Sequence, residues 1–246
     1  MGAGSGGAGL AVEEVDTLAS VGAALRRLGL PSGRPVLVSI GGASGMQPQQ
    51  RQALKSLLRD HLLAVLKDHG AAVIDGGTDA GVMRVMGQVL AKAGFDVPLI
   101  GVAAVGTVRV PGRPSSRDDA PELEPRHTAV LLVPGAEWGD ESVWISRVAS
   151  HLADGAPTAT LLFNGGEIAY SDVLHSIKAH RPVIVVSGSG RTADAIAAAL
   201  HGDEPDPRAV HAARSGLVSE VGLRDGPGAA RLLSQLLAES LPAGPG

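Results

Sequence analysis

The sequence predicts an α/β protein built on a doubly wound, mostly parallel sheet with helices on both faces. Three features carry that prediction. Short apolar runs recur along the chain without polar alternation, as expected of strands covered on both sides. Between them lie longer stretches whose apolar residues repeat at three and four positions, the mark of helices with one buried face. Four of the strand-like runs break into glycine-rich turns: Gly41-Gly42-Ala43-Ser44-Gly45, Gly76-Gly77-Thr78-Asp79-Ala80-Gly81, Asn164-Gly165-Gly166-Glu167 and Gly188-Ser189-Gly190-Arg191. Regular strand and helix alternation implies right-handed crossovers and parallel pairing.

Residues 12–28 have helical spacing at Val12, Val15, Leu18, Ala19, Leu25 and Leu28, closed by Gly29 and Pro31. Residues 36–40 form the first predicted strand. After its turn, Leu54, Leu57, Leu58, Leu62, Val65 and Leu66 mark a helix that Gly70 stops. Residues 71–74 are the second strand, followed by a helix with Val82, Met86, Val89, Leu90 and Ala93 on one side. Residues 98–102 are the third. Residues 111–125 hold four prolines and mixed charges and read as a surface loop, of a length found in lids that cover a ligand. Residues 129–133 are the fourth strand, with a helix near 141–153. Residues 158–163 and 182–187 are the fifth and sixth, each leading through a glycine turn into a helix. Beyond Gly202 the pattern weakens to a turn at 203–207, a short edge strand at 217–221 and a closing helix at 229–241. Strand order is not readable from this pattern.

A chain of 246 residues, 44% hydrophobic, can bury a substantial core, which fits one domain over residues 11–241 between tails at 1–10 and 242–246. Aromatic residues make up 2%, so Val, Leu, Ile and Ala fill that core and few rings remain to stack on bases. A net charge of −4 with dispersed Lys and Arg offers no basic stripe, so no nucleic-acid partner is expected. The absence of cysteine excludes disulfides, thiolate metal sites and a cysteine nucleophile, and fits a reducing, cytoplasmic setting. No metal site is expected. Residues 1–10 carry no basic start and no long apolar stretch, so no secretory signal is read there. The longest apolar neighbourhood, residues 97–108, is broken by glycine and falls short of the roughly 18 to 20 residues a membrane span needs. No membrane partner is expected.

If the strands are parallel and share one sheet, all four turns lie along its carboxyl edge, where backbone amides and helix N-termini favour an anion such as a phosphate. The ligand-binding set this predicts is Gly41, Gly42, Ser44, Gly45, Gly76, Gly77, Thr78, Gly81, Gly165, Gly166, Glu167, Gly188, Ser189, Gly190 and Arg191. The glycines either leave amides open to a phosphate or serve tight turns alone. Thr78 and Asp79 either cap the following helix or touch ligand hydroxyls, and capping suits Asp79. Arg191 has the planar fork for bidentate contact with a phosphate; its alternative is an ion pair with Asp194 one turn away. Glu141 either holds ribose hydroxyls or sits as a first-turn carboxylate on the helix dipole. Trp138 and Tyr170 either stack on a base or fill core space, and His127, without a ligating partner, reads as structural.

Gly76-Gly77-Thr78-Asp79-Ala80-Gly81-Val82-Met83-Arg84-Val85-Met86-Gly87 resembles the cytosolic N-terminal domain of the TRPM channel family. Leu123-Glu124-Pro125-Arg126-His127 is similar to that family's L-x-P-x-H segment, and Trp138-Gly139-Asp140-Glu141 to its Y-G-x-E. Gly188-Ser189-Gly190-Arg191-Thr192-Ala193-Asp194 matches its G-S-G-R-x-x-D signature. The motifs keep the family's order from about residue 36 to residue 200. That domain is similar to the LOG and DprA type of Rossmann-like fold, the SLOG superfamily, which handles nucleotides and their derivatives. The resemblance implies a free-standing relative of prokaryotic type, no covalent cofactor, and Arg191 as a contact to an ADP-ribose-like ligand. A further family arginine falls here on Ile145, with Arg147 two residues later. Residues 164–172 align with the LOG phosphoribohydrolase motif P-G-G-x-G-T-x-x-E. The place of its catalytic glutamate is taken by Asp172, one methylene shorter, and Ile168-Ala169 replace Gly-Thr.

Three functions follow. The first is a sensor that binds a nucleotide derivative such as ADP-ribose, NAD or a cyclic nucleotide and orders residues 111–125 over it. The second is a nucleotide N-glycosidase, with Asp172 and Glu141 as candidate catalytic carboxyls. The third is a scaffold with a vestigial pocket, partnered by a second copy or an effector protein.

Overall fold

The computed structural model of the chain describes residues 10–239, except Phe95, Ser116 and Pro205. In β2 (Val36–Gly41), Val36, Val38 and Ile40 enter one hydrophobic layer and Leu37 the other, so an unbroken apolar run is what a strand with two covered faces requires. The same division recurs in β3 (Ala72–Asp75), β6 (Thr158–Phe163) and β7 (Val183–Ser187). With β1 (Ala11–Glu14), β4 (Leu99–Ala104), β5 (Ala129–Val133) and β8 (Val218–Gly222) they form one sheet in the order β1-β5-β4-β3-β2-β6-β7-β8. Every pairing is parallel.

One face is covered by α1 (Val21–Arg27), α5 (Ser142–Ala153), α6 (Glu167–Lys178), α7 (Arg191–Leu200) and α8 (Pro207–Ala213). The other carries α2 (Pro48–Leu57), which runs through a π-helical turn at Leu58–Leu62 into α3 (Leu63–Asp68), with α4 (Gly81–Ala93) and α9 (Gly226–Ala238). Where β4 and β5 lack a helix, Val108 and Leu123 from their connection pack onto Ala103, Val130 and Leu132. From β2 the chain steps outward through β3 and β4 to β5, then returns to place β6 on the other flank of β2. Strand order therefore reverses between β2 and β6, which opens a crevice at their carboxyl ends.

The fold departs from expectation in four places. The helix expected over residues 12–28 is β1, a 3-10 turn at Leu18–Ser20 and then α1. The open edge of β5 supplies backbone partners that override the helical spacing: Ala11 to Glu14 pair with Ala129 to Leu132, the Val15 amide donates to the Leu132 carbonyl, and Val12 stays exposed. α8 was not foreseen, although Asp206 caps it through the Arg208 amide and Pro207 opens it. Residues 111–125 are not wholly a surface loop, because Ala120, Leu123 and Glu124 are buried and Leu123 bridges Thr78. The closing helix begins at Gly226, earlier than expected, and ends at Ala238. The expected tails lie outside the described residues, Leu10 apart. Among the described residues no helix is long and apolar enough to cross a membrane.

Candidate functional site

The four glycine turns follow β3, β2, β6 and β7, which are consecutive neighbours in the sheet. Their carboxyl ends surround a cavity of about 590 Å³. Of the predicted set, Gly41, Gly42, Ser44, Gly76, Thr78, Gly166, Glu167 and Arg191 line it, as do Glu141 and Asp172. Ile40, Met83, Ile145, Ile168 and Trp138 give it an apolar side. Asp119 and Pro121 reach it from residues 111–125, so part of that segment stands where a lid would. The N-terminal ends of three helices meet here, through Ala80 before α4, Gly166 before α6 and Arg191 at the start of α7. The partial positive charge of these helix ends makes the wall favourable to negative charge.

The remaining predicted residues shape the turns without lining the cavity. Gly81 adopts φ +46° with its α-carbon against the Gly42 carbonyl, a contact with no room for a β-carbon, and this closeness locks the β2 and β3 turns together. Gly77 donates its amide to Asp75 Oδ1 at 2.8 Å. Ser189 is wholly buried; its Oγ accepts from the Asn164 amide at 2.8 Å and donates to the Val186 carbonyl at 2.6 Å. Asn164 Nδ2 and Gln50 Nε2 each donate to the Ser189 carbonyl at 2.8 Å. Gly45, Gly165, Gly188 and Gly190 adopt the positive φ these turns demand. Asn164 does so without being glycine, at φ 63°. Asn164 and Gln50 are the stitching that sequence reading missed, and a buried asparagine after an apolar strand was the available signal.

Arg191 occupies the left-handed region at φ 55°, and its side chain turns back over the β6 turn. Nη1 donates to the Ser44 carbonyl at 3.2 Å, joining the β7 turn to the β2 turn. Nη2 lies 2.9 Å from where a β-carbon on Gly166 would sit, so glycine is what admits the guanidinium. The ion pair with Asp194 does not form: Asp194 Oδ1 instead accepts the Gly188 amide at 2.7 Å. No carboxylate of the described residues lies within ion-pair distance of Arg191. An exposed guanidinium bound only to a carbonyl keeps donors free for an anion. Asp79 does not cap α4 either; it pairs with Arg84 Nε at 2.7 Å, while the helix begins from Ala80 without a side-chain cap. Tyr170 is buried under the Arg208 guanidinium and fills core, whereas Trp138 lines the cavity.

The opposite side of the cavity carries carboxyls. Burial pushes Asp172 up to about 7, and the charge of Glu141 adds to that. Asp172 Oδ1 and the buried Ser142 Oγ each lack a hydrogen-bond partner among the described residues, as does Thr78 Oγ1 in the β3 turn. Glu141 is raised by burial against the Gly139 amide, which donates to Oε2 at 3.0 Å. At neutral pH the Asp172 carboxyl is therefore partly protonated, so it can donate as well as accept.

Beneath the β3 turn lies a paired cluster. His127 is buried between two carboxylates, with Nε2 2.8 Å from Asp75 Oδ1 and Nδ1 3.0 Å from Glu124 Oε2. Burial works against a charged ring, but Asp75 and Glu124 outweigh it and push His127 up to about 10, so an imidazolium donates to both. Glu124 is held below its usual range because His127 and Arg126 outweigh its own burial. Gly87 of α4 packs directly on the Glu124 carboxylate. His127 is structural, tying the end of β3 to the start of β5.

A parallel α/β sheet with its cavity at the reversal of strand order, walled by helix N-termini, defines a Rossmann-like protein. A family profile described as SLOG in TRPM, prokaryote, matches residues 34–231, and the chain belongs to that family. Among curated proteins it is similar to the transient receptor potential cation channel subfamily M member-like 2 of Nematostella vectensis, 26% identical over 209 residues. It is also similar to subfamily M member 2 of Rattus norvegicus, 28% identical over 199 residues. These alignments cover 70% and 66% of this chain and 13% of each channel. Among solved structures it is similar to the X-ray structure of TM1055, a structural genomics target, at a TM-score of 0.53 and 20% identity over 82% of this chain and 99% of that one. That likeness shows the shared fold. Among the described residues no group of His, Asp and Glu is arranged to hold a metal ion.

Proposed function

We propose that the chain binds a nucleotide-derived small molecule, of the ADP-ribose, NAD or cyclic nucleotide class, in the cavity at the carboxyl edge of the sheet and acts as a sensor of it. The observation that carries this reading is the unpaired Arg191 guanidinium set among three helix N-termini, a place suited to a phosphate. The carboxyls of Glu141 and Asp172 on the opposite wall suit ribose hydroxyls, and Trp138 with its aliphatic neighbours suits a base. Asp119 and Pro121 would close over the ligand with the rest of residues 111–125. Titration calorimetry against ADP-ribose, NAD, AMP and cyclic AMP tests this: binding of at least one is expected, and no heat from any member overturns it.

One observation favours a second reading, hydrolysis of the N-glycosidic bond of the same ligand. Asp172 lines the cavity, one of its carboxyl oxygens is buried without a partner among the described residues, and burial pushes the group up to about 7, a value suited to proton transfer. The anomeric C–N bond would break as the oxygen of water bonds to the anomeric carbon; Asp172 would give its proton to the departing base, and the proton shed by the water would return to the Asp172 carboxylate so formed. Chromatography after prolonged incubation separates the readings: released base with loss of turnover in Asp172→Asn supports hydrolysis, and an intact ligand supports sensing.

A further inference from the structure

We infer that Arg208 is a positioning residue for the phosphate end of this site: it holds the Glu167 carboxylate away from Arg191 and so keeps the cavity's free guanidinium available to an anion. This rests on the proposed nucleotide binding and deepens it. Glu167 lines the cavity and follows directly on Gly166, against which the Arg191 guanidinium lies. A carboxylate there has two basic partners within its neighbourhood, and pairing with Arg191 would cancel the charge a phosphate needs. In the structure it takes the other partner, with Arg208 Nη1 2.8 Å from Glu167 Oε2.

Arg208 is built to hold that place. Its Nε and Nη2 bond both oxygens of Asp206 at 3.0 and 2.8 Å, a bidentate fork that fixes the plane of the guanidinium. Its Cζ stands 4.1 Å from the centre of the Tyr170 ring, which covers one face. Asp206 also caps α8 by accepting the Arg208 amide at 2.8 Å, so helix start and side chain are set by one carboxylate. The Nη1 donor is what remains, and it points to Glu167. Tyr170 and Glu167 both lie on the first turn of α6, so the same helix that brings the carboxylate to the cavity carries the ring that seats its partner. Nothing in the phosphate-facing turns requires Arg208 itself to touch a ligand, and it does not line the cavity.

The test is a double-mutant cycle read by calorimetric affinity for ADP-ribose in Arg208→Ala, Glu167→Gln and the double variant. Arg208→Ala is expected to weaken binding about two- to fivefold, the range of a solvent-exposed ion pair, with the loss shrinking as salt is raised. Glu167→Gln is expected to tighten binding slightly, and adding Arg208→Ala to it should then cost nothing further. Equal losses from Arg208→Ala in both backgrounds, or none in either, overturn the inference while leaving nucleotide binding in place. Should Arg208→Ala fail to fold, Arg208→Lys carries the same comparison, because an ammonium cannot span Asp206 and Glu167 together. Absence of ADP-ribose binding by the unaltered protein overturns both this and the ADP-ribose form of the reading beneath it.

Discussion

The β3 turn separates two groups of polar atoms, buried apart from the exposed guanidinium of Arg191, that are treated in opposite ways. Below it, the Asp75, His127, Glu124 and Arg126 cluster is bonded within the chain, with Asp75 Oδ2 the buried side-chain atom of the cluster that lacks a partner among the described residues. Above it, along the cavity, Thr78 Oγ1 and Asp172 Oδ1 have no partner and Arg191 bonds a single carbonyl. Burying an unsatisfied polar atom costs free energy, so the fold would be expected to pair these groups if stability were their only purpose. The lower cluster ties the β3 turn to β5, while the atoms at the cavity wall, like Asn164 Oδ1 and Arg181 Nε elsewhere, are left without partners among the described residues. The carboxyls of the two groups titrate accordingly: Glu124 is held down by His127 and Arg126, whereas Asp172 is held up by burial and by the charge of Glu141.

The strongest way to break this contrast is to remove the imidazolium. His127→Ala leaves Asp75 and Glu124 facing each other in a buried space, and a loss of about 3–5 kcal/mol in urea unfolding is expected. A loss below about 1 kcal/mol would mean the cluster is not the clamp its geometry describes. The pH dependence has a definite sign. A histidine raised from 6.5 to about 10 in the folded state contributes fully below the unfolded value and loses that contribution as pH climbs toward 10. His127→Gln should flatten that part of the stability profile.

Asp172 predicts a loss of stability over a different pH window. Its carboxyl rises from 3.8 to about 7 on folding, so the unfolded chain ionises first and stability falls between those values, then levels off. Asp172→Asn removes the charge that burial penalises and should stabilise the protein by roughly 2–4 kcal/mol at pH 8, with little effect near pH 4. Unfolding at the two pH values checks this, and a destabilised variant at pH 8 would show that the carboxylate has a partner in solution. Arg191→Ala comes next. Its expected cost is tenfold or more in ADP-ribose affinity, about 1.4 kcal/mol, with unfolding unaffected because the guanidinium closes no buried pair.

Much of this was legible before any coordinates, for reasons that differ by element. The central strands announce themselves because Val36 to Ile40 and Val183 to Val186 must be apolar on both faces, and a glycine turn after each marks the carboxyl edge. β1 was hidden because an edge strand of four residues draws its stability from β5, more than a hundred residues away, and leaves Val12 exposed. Strand order depends on crossovers that local patterning does not encode. At the site, Arg191 and the turn glycines were recognisable by type and spacing. The approach of Asp119 and the His127 pair with Asp75, 52 residues apart in sequence, arise only from tertiary contact. Asp79 misled for a related reason: an aspartate before a helix suits a cap, but Arg84 competes for it from one turn further on.

The smallest predicted effect sharpens the contrast most directly. Thr78 is buried at the cavity wall, its backbone bridges Leu123, and its hydroxyl finds no partner among the described residues. Thr78→Val keeps the branched shape and removes only the oxygen, so no cavity opens and no donor or acceptor in the chain is abandoned. Unfolding free energy should stay level or rise by up to about 1 kcal/mol, because the variant no longer buries an unsatisfied group. Affinity for ADP-ribose should fall by a few fold, since a ligand oxygen at the cavity wall would give this buried hydroxyl the partner the described residues do not. In the lower cluster, removing Asp75 Oδ1 or either Glu124 oxygen would instead orphan a neighbouring donor. A variant that melts earlier while binding as before would reverse the assignment and make Thr78 part of the clamp.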